Sequence, residues 1–325
     1  MANFPNAPFS SLSNNDFFEL FRHIRLDSDP VRGVSNSRAI FYDNAVAENL
    51  NSSVNELPYD FGGELTENML CKYITVNQCK DIYESFSEDT FSLLHLNIRS
   101  LNKHFDELKL FLETDADQSF SVIGLSETWL NSNSESFFSI DGYKMFVNNR
   151  PDKSGGGVAL YISHTFECIV HDDISRMDNI VESLFLEICI PGIRNIVVGI
   201  MYRPPNSNIK DFLTYLSDLV KSPVFKNKDC FFLGDFNIDL LKSGNNTVAN
   251  EFLQIFLSSF LPLISKPRRV TDHSATLIDN LFCNTLPLTD SYMILLDMTD
   301  HYPIMTFFNL KTSVNNAKCF FHRLY

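Results

Sequence analysis

The chain alternates short apolar segments of strand length with a few segments of helical length, and this order constrains its fold more than any other feature. From residue 91 onward the apolar segments come in neighbouring pairs bounded by turn residues, as strands of mostly antiparallel sheets do. The predicted strands cover residues 91–98, 120–127, 143–150, 157–163, 166–172, 181–190, 195–203, 229–237, 275–283 and 301–308. The predicted helices cover residues 100–113, 209–220 and 247–260.

This order fits neither a strict alternation of strands and helices nor an all-β protein. We therefore predict an α/β fold in which two mostly antiparallel sheets pack face to face and helices cover their outer faces. Residues 157–163 and 166–172 are expected to form a hairpin. A hydrophobic content of 44%, with 30 Phe among 325 residues, is enough for a sizeable core.

The chain is predicted to have three parts. Residues 1–88, rich in Asn, Ser, Asp and Glu, are expected to be a largely irregular or disordered leader with at most one short helix. Residues 89–310 are expected to form the folded domain. Residues 311–325 are expected to be a C-terminal tail, the start of a truncated downstream region.

Composition excludes several classes of protein. The net charge of −14 argues against a protein that coats nucleic acid, although an acidic enzyme can act on a phosphodiester when a metal ion and a few cations neutralise its site. No apolar run is long enough to span a membrane, and the N-terminus does not resemble a secretory signal. Seven scattered Cys without a CxxC pair indicate reduced thiols and an intracellular location, and argue against a zinc site.

Polar residues stand where the predicted strands end, as in "CFFLGDFN" at residues 230–237. Asp235 and Asn237 are two residues apart, so on a strand they would share one face. The carboxylate could orient or deprotonate a water molecule, and the amide could donate a hydrogen bond to a developing oxyanion. The same residues are also typical of an Asx turn that caps a strand, and both interpretations stay open at this point.

Other strand ends carry residues of similar chemistry. Glu127 is a candidate ligand for a hard cation, and Tyr202 with Arg203 could face a phosphate. Asp279 lies inside an apolar strand, where a buried carboxylate needs a partner, and His301 is a candidate for that partner. Each of these residues taken alone is equally typical of a turn, a solvated loop or a polar strand end.

Six short motifs follow one another in a fixed order. They are "LNIRS" (96–100), "SETWL" (126–130), "YRPP" (202–205), "GDFN" (234–237), "IDN" (278–280) and "DHYPI" (300–304). Together they resemble the endonuclease/exonuclease/phosphatase superfamily. Within it, the chain most resembles, over about residues 90–310, the apurinic-type endonuclease domain of non-LTR retrotransposon open reading frames.

The resemblance implies a DNase I-like, four-layer α/β sandwich that hydrolyses DNA phosphodiester bonds with Mg²⁺ or Mn²⁺. Glu127 would hold the metal with Asn97 beside it, and Asp300 would complete the metal or water network. Asp235 would activate the attacking water. Asn237 and Tyr202 would bind the scissile phosphate, and His301, held by Asp279, would stabilise charge in the transition state.

If DNA is bound, cations near the site are expected to contact it: Arg99, Arg203, and Arg268 and Arg269 of "KPRR" (266–269), which would line the DNA groove. Arg99 is equally typical of a surface charge. Arg99 stands where repair-type apurinic endonucleases carry an Asp. This weakens a two-metal mechanism and favours nicking of intact DNA over abasic-site repair. DNA is the expected partner, in the nucleus if the protein is active. No membrane and no small-molecule cofactor are expected, and the oligomeric state is left open.

Two other functions fit the same residues. The chain could be a catalytically inactive, retrotransposon-derived fragment that acts at most as a binding module. It could also hydrolyse a phosphoinositide or sphingomyelin phosphodiester, although the lack of membrane and secretory signals disfavours that substrate.

Overall fold

The computed structural model describes residues 44–53, 71–87, 90–115, 120–131, 135–151, 155–270, 274–285 and 290–309. Its α-helices in these ranges are α1 (Asn44–Ser53), α2 (Val76–Glu84), α3 (Leu101–Leu110), α4 (Ile209–Leu219) and α5 (Thr247–Leu257). Shorter helical turns cover Phe111–Asp115, Glu135–Phe137, Pro223–Phe225 and Leu240–Lys242. In the described part of the chain, no helix is long and apolar enough to cross a membrane.

The first sheet has seven strands, of which four neighbouring pairs are antiparallel and two are parallel. Its strands, numbered along the chain, are β1 (Cys71–Thr75), β2 (Thr90–Asn97), β3 (Val122–Ser126), β4 (Tyr143–Asn148), β5 (Val158–Ser163), β15 (Ser291–Leu295) and β16 (Ile304–Asn309). Across the sheet the order is β1-β15-β16-β2-β3-β5-β4.

The second sheet also has seven strands, and all its pairs are antiparallel except β9 with β10. Its strands are β6 (Glu167–Val170), β7 (Arg176–Met177), β8 (Glu182–Cys189), β9 (Ile196–Tyr202), β10 (Asp229–Asp235), β11 (Leu261–Pro262) and β14 (Asp279–Cys283). The order is β11-β14-β10-β9-β8-β6, with β7 also paired to β8. A separate ribbon joins β12 (Arg269–Val270) to β13 (Ala275–Thr276).

The fold has four layers, two sheets and a layer of helices on the outer face of each, and an apolar cluster fills each of the three spaces between them. The inner cluster joins the two sheets through residues such as Leu93, Val198 and Leu233. A second cluster packs α2 and α3 on the outer face of the first sheet, and a third packs α4 and α5 on the outer face of the second sheet. This arrangement confirms the predicted sandwich of two mostly antiparallel sheets flanked by helices.

Strand alternation determines which polar residues face the interior. Because side chains alternate across a strand, Asn97 lies on the same face of β2 as the inner-cluster residue Leu93. In the same way Asp235 follows Leu233 on β10, and Tyr202 itself belongs to the inner cluster. The polar residues at these strand ends therefore continue the rows of apolar side chains that hold the sheets together.

Two predictions about the chain's organisation were wrong. The segments predicted as a hairpin belong to different sheets, since β5 pairs with β3 and β4 whereas β6 pairs with β8. The leader was drawn too long, because β1 pairs in parallel with β15 and α2 contributes to the second cluster. The predictions for residues 1–43, 54–70 and 311–325 lie outside the described residues.

A fragment that begins at residue 89 should be markedly less stable than one that begins at residue 44, both ending at 309. The shorter fragment loses Tyr73, Ile74, Val76 and Cys79, all buried. Burying one large apolar side chain contributes about 1.5–3 kcal/mol, so we expect a loss of at least about 3 kcal/mol. Urea unfolding followed by circular dichroism measures it, and equal midpoints would contradict the assignment of β1 and α2 to the fold.

Candidate active site

The register of the second sheet places three predicted site residues side by side. Asp235 is aligned with Tyr202 on β9 and with Asp279 on β14. Gly234, just before Asp235, allows the strands to come this close, because a Cβ there would overlap the carbonyl oxygen of Met201. The result is a polar row at the end of the inner core.

Asn97 joins the two sheets at this end of the sandwich. Its Nδ2 donates to Oε1 of Glu127 at 2.9 Å and, across the gap between the sheets, to Oδ2 of Asp235 at 2.8 Å. Asn97 is fully buried and Asp235 nearly so. One amide therefore lies between two carboxylates that come from different sheets.

Asp279 pairs with His301, as predicted, and also with Arg268. Its Oδ2 lies 2.7 Å from Nδ1 of His301, and its Oδ1 lies 2.6 Å from a guanidinium nitrogen of Arg268. Burial alone would raise the pKa of Asp279, but Arg268 and His301 outweigh it and hold the pKa at about 2. Burial likewise opposes a charged His301, yet the carboxylate of Asp279 raises the pKa of that imidazole above 6.5.

Asp235 has a different environment, although it is equally buried. Burial, followed by the nearby charge of Asp279, raises the pKa of Asp235 to about 7. His301 and the backbone N–H of Asn237, which donates to Oδ1 of Asp235 at 2.9 Å, act in the opposite direction. The neighbouring carboxyl groups of Asp235 and Asp279 therefore have very different pKa values. Many sites that transfer protons contain such a pair.

Asn237 and Tyr202 border the same group. Asn237 has a left-handed backbone (φ 49°) and donates its side-chain N–H to the carbonyl oxygen of Arg203 at 2.8 Å. Burial, with Glu127 and Asp235 nearby, raises the pKa of Tyr202, so that its phenol stays protonated and can donate a hydrogen bond. Their predicted contact with a phosphate remains a prediction.

Arg203 and Arg268 are not surface cations, which corrects two of the predicted DNA contacts. Arg203 is almost completely buried, and its guanidinium donates to the carbonyl oxygens of Phe236 and Asn237. Arg268 is 0% exposed and pairs with Asp279. A guanidinium group can be buried only when its N–H donors have partners. Both side chains therefore stabilise the interior of the fold and are not available to DNA.

Arg99 and Arg269 lie at the surface of the site. The Arg99 side chain is 46% exposed and that of Arg269 is 32% exposed. Both bind Asp300, at 2.7 Å to Oδ1 and 2.9 Å to Oδ2. Although burial opposes it, pairing with His301, Arg99 and Arg269 lowers the pKa of Asp300. Asp300, predicted to complete a metal network, is thus held by two guanidinium groups.

Two buried residues beside this cluster, Glu182 and His95, were not among the predicted site residues. Glu182 begins β8 aligned with Tyr202, is buried, and accepts from Arg150 and from the backbone N–H of Gly157 at 2.5 Å. Alternation with the inner-cluster residues of β8 was a usable signal for Glu182. His95 is completely buried, and burial followed by Arg268 keeps its pKa well below 6.5. The same signal was available for His95, because it alternates with the inner-cluster residue Leu93 and with Asn97 on β2.

The donor set fits a hard divalent cation. Glu127 and Asp235 direct carboxylate oxygens at one amide, and carboxylate and amide oxygens are the ligands that Mg²⁺ and Mn²⁺ prefer. The amide of Asn97 can present either its nitrogen or, after rotation, its oxygen to that position. Donor atoms of Asp235, Asp279 and His301 also lie within 4.8 Å of one another. However, both carboxylate oxygens of Asp279 already contact Arg268 and His301, so Asp279 is a poor candidate for a metal ligand.

A cleft lies on the outer side of the molecule, beside α4. It has a volume of about 750 Å³ and is lined by α4 and the segment 173–176. Its lining includes three carboxylates, of Asp173, Asp211 and Asp218, and one guanidinium group, of Arg176. This acidic surface is unsuited to a phosphodiester backbone.

The sequence profile of the Endonuclease/Exonuclease/phosphatase family matches residues 94–301, more than half of the chain. The chain therefore belongs to that family, as its six motifs predicted. No curated protein matches the sequence closely enough to be recognised as a relative.

Solved structures share the fold at low sequence identity. The endonuclease domain of TRAS1, a telomere-specific non-LTR retrotransposon, is 15% identical with a TM-score of 0.55, and the match covers 69% of this chain and 100% of that one. The AP endonuclease LMAP from Leishmania major is 11% identical with a TM-score of 0.53, and the match covers 70% and 90% of the two chains. An AP endonuclease from Archaeoglobus fulgidus is 16% identical with a TM-score of 0.50, and the match covers 66% and 98%. These matches confirm the DNase I-like fold.

Replacing Arg268 and Arg269 singly by Met should separate a buried cation from a surface cation. Arg268→Met removes one of the two partners of the buried Asp279 carboxylate, and we expect it to cost about 3–5 kcal/mol of stability. Arg269→Met breaks a partly exposed pair and should cost less than about 1 kcal/mol. Urea unfolding of both variants measures the difference. Equal effects would contradict the assignment of Arg268 to the interior.

Proposed function

We propose that the protein is a Mg²⁺- or Mn²⁺-dependent endonuclease that nicks DNA by hydrolysing a phosphodiester bond. The observation that carries this proposal is the Asn97 amide, which lies between Glu127 of one sheet and Asp235 of the other. Beside it stands a histidine fixed by a buried carboxylate. Together these groups supply a cation site, a base and a hydrogen-bond donor to charged oxygen.

Each side chain has a role that its contacts support. Asp235, oriented by the backbone N–H of Asn237, accepts a proton from the attacking water. His301 uses Nδ1 to bind Asp279, which leaves Nε2 to donate to a phosphate oxygen. The neutral phenol of Tyr202 and the amide of Asn237 hold the scissile phosphate. A divalent cation held by Glu127 and Asn97 would neutralise charge on that phosphate.

The biological setting is part of the same proposal. The resemblance of the motifs and the fold of TRAS1's endonuclease domain support target-site cleavage for a non-LTR retrotransposon. Such cleavage would take place on DNA in the nucleus. The 3′ phosphatase NExo from Neisseria was solved with a product DNA hairpin bound. It has the same fold at 14% identity with a TM-score of 0.50, and the match covers 66% of this chain and 98% of that one. This structure supports DNA as the class of substrate in the proposal.

Plasmid nicking tests the activity directly. Supercoiled DNA incubated with the full chain and Mg²⁺ or Mn²⁺ should be converted to the open circular form, and a chelator should stop the conversion. Asp235→Asn and His301→Gln should each lower the rate by about 10²–10⁴-fold, because each removes a group that acts in the transition state.

Matched controls are exposed residues of the same types. Asp218→Asn, on α4, and His164→Gln should nick at the rate of the unchanged protein. If the unchanged protein is folded but inactive with both metals, the chain is an inactive module and the nuclease proposal fails.

Arg99 and Arg269 should contribute the electrostatic part of DNA binding. The double variant Arg99→Ala/Arg269→Ala should bind duplex DNA more weakly, and the slope of log K against log salt should fall by about one to two. Fluorescence anisotropy at several salt concentrations, with a chelator present, measures the slope. The exposed pair Lys210→Ala/Lys226→Ala is the control and should leave it unchanged. An unchanged slope in the arginine variant would remove these residues from the DNA interface.

A further inference from the structure

Trp129 is the only tryptophan of the chain, and the fold does not bury it. Its side chain is 44% exposed. Large apolar side chains are usually covered, and an exposed aromatic beside a polar cluster is a common feature of binding sites. Trp129 follows the "SE" of "SETWL" by two residues and stands at the rim of the candidate active site.

A specific contact links the indole to the metal-holding carboxylate. Nε1 of Trp129 donates to Oε2 of Glu127 at 3.2 Å, while Oε1 of the same carboxylate accepts from Asn97. The edge of the indole thus meets the candidate cation site, and the exposed part of the ring lies beside it. Any nucleic acid whose phosphate enters that site passes within reach of this ring.

The backbone that carries the indole has an unusual conformation. Glu127 and Trp129 both have positive φ, at 54° and 56°. The N–H of Trp129 donates to the carbonyl oxygen of Gly156 at 2.8 Å, and a Cβ at Gly156 would overlap Glu182 and Arg150. A left-handed residue other than Gly is unfavourable by about 1–3 kcal/mol, and such strain clusters at functional sites. The neighbouring glycine segment therefore fixes the backbone of Trp129, and the hydrogen bond to Glu127 orients its indole.

We propose that the exposed face of Trp129 stacks on a nucleobase of the bound nucleic acid, beside the scissile phosphate. A base in an intact duplex has both faces covered, so stacking requires an unpaired or extruded base. The proposal rests on the proposed nuclease function and adds a substrate class, namely DNA with an unpaired base next to the cleaved bond.

The single tryptophan makes this contact directly measurable. Two labelled duplexes of the same length, one fully paired and one with two unpaired nucleotides, are titrated into the full chain with a chelator to prevent cleavage. Tryptophan emission should be quenched more strongly by the duplex with unpaired nucleotides. Anisotropy of the label gives the affinity in the same titration.

Three variants separate stacking from its alternatives. Trp129→Leu should weaken binding to the duplex with unpaired nucleotides about tenfold, the size expected for one lost stacking contact. Trp129→Phe keeps an aromatic face but lacks the N–H to Glu127, and should weaken it by less than about threefold. Phe137→Leu, at a side chain 74% exposed next to Phe138 of the second cluster, is the matched control and should have no effect.

The outcomes separate this proposal from the nuclease function. Unchanged emission together with full affinity in Trp129→Leu would overturn the stacking role, even if the protein nicks plasmid DNA. Equal losses in Trp129→Leu and Trp129→Phe would also overturn it, because they would assign the effect to the N–H. The predicted quenching and affinity losses would support stacking even in a protein without nicking activity.

Discussion

The candidate site depends on the buried carboxylate of Asp279, which forms an ion pair with Arg268 through one oxygen and a hydrogen bond with His301 through the other. All three side chains are essentially excluded from water. An unpaired charge there would be strongly destabilising, so each member requires the other two. The guanidinium of Arg268 also donates to the carbonyl oxygens of Tyr302 and His95. The group therefore ties β14 to the neighbouring strands of the other sheet.

Charge pairing at Asp279 also shapes the chemistry next to it. Asp235 stands in the adjacent strand without a cation of its own and shares its burial, so its proton affinity rises while that of Asp279 falls. The amide of Asn97 donates a hydrogen bond to Asp235 across the sheets. Asp235 and Asp279 are equally buried. Their pKa values differ because Asp279 has two cationic partners and Asp235 has none of its own.

Much of the fold and the site was predictable because both depend on periodicity. Alternation along "CFFLGD" places Asp235 on the inner face, and the same rule explains Tyr202 and Asp279. Sheet membership was not predictable, because β5 and β6 are neighbours in sequence but pair in different sheets. The burial of Arg268 was also hidden, since "KPRR" carries no trace of the carboxylate that lies eleven residues later and compensates one of its cations.

Arg99 adds a positive charge at the rim of the site. It stands where the resemblance leads one to expect a carboxylate, and with Arg269 it binds both oxygens of Asp300. A second cation at Asp300 would have to displace two guanidinium groups. Glu127 and Asp235 each keep a carboxylate oxygen within hydrogen-bond distance of Nδ2 of Asn97. Both oxygens of Asp300 are therefore occupied by guanidinium groups, which makes Asp300 a poorer candidate for a cation ligand than Glu127.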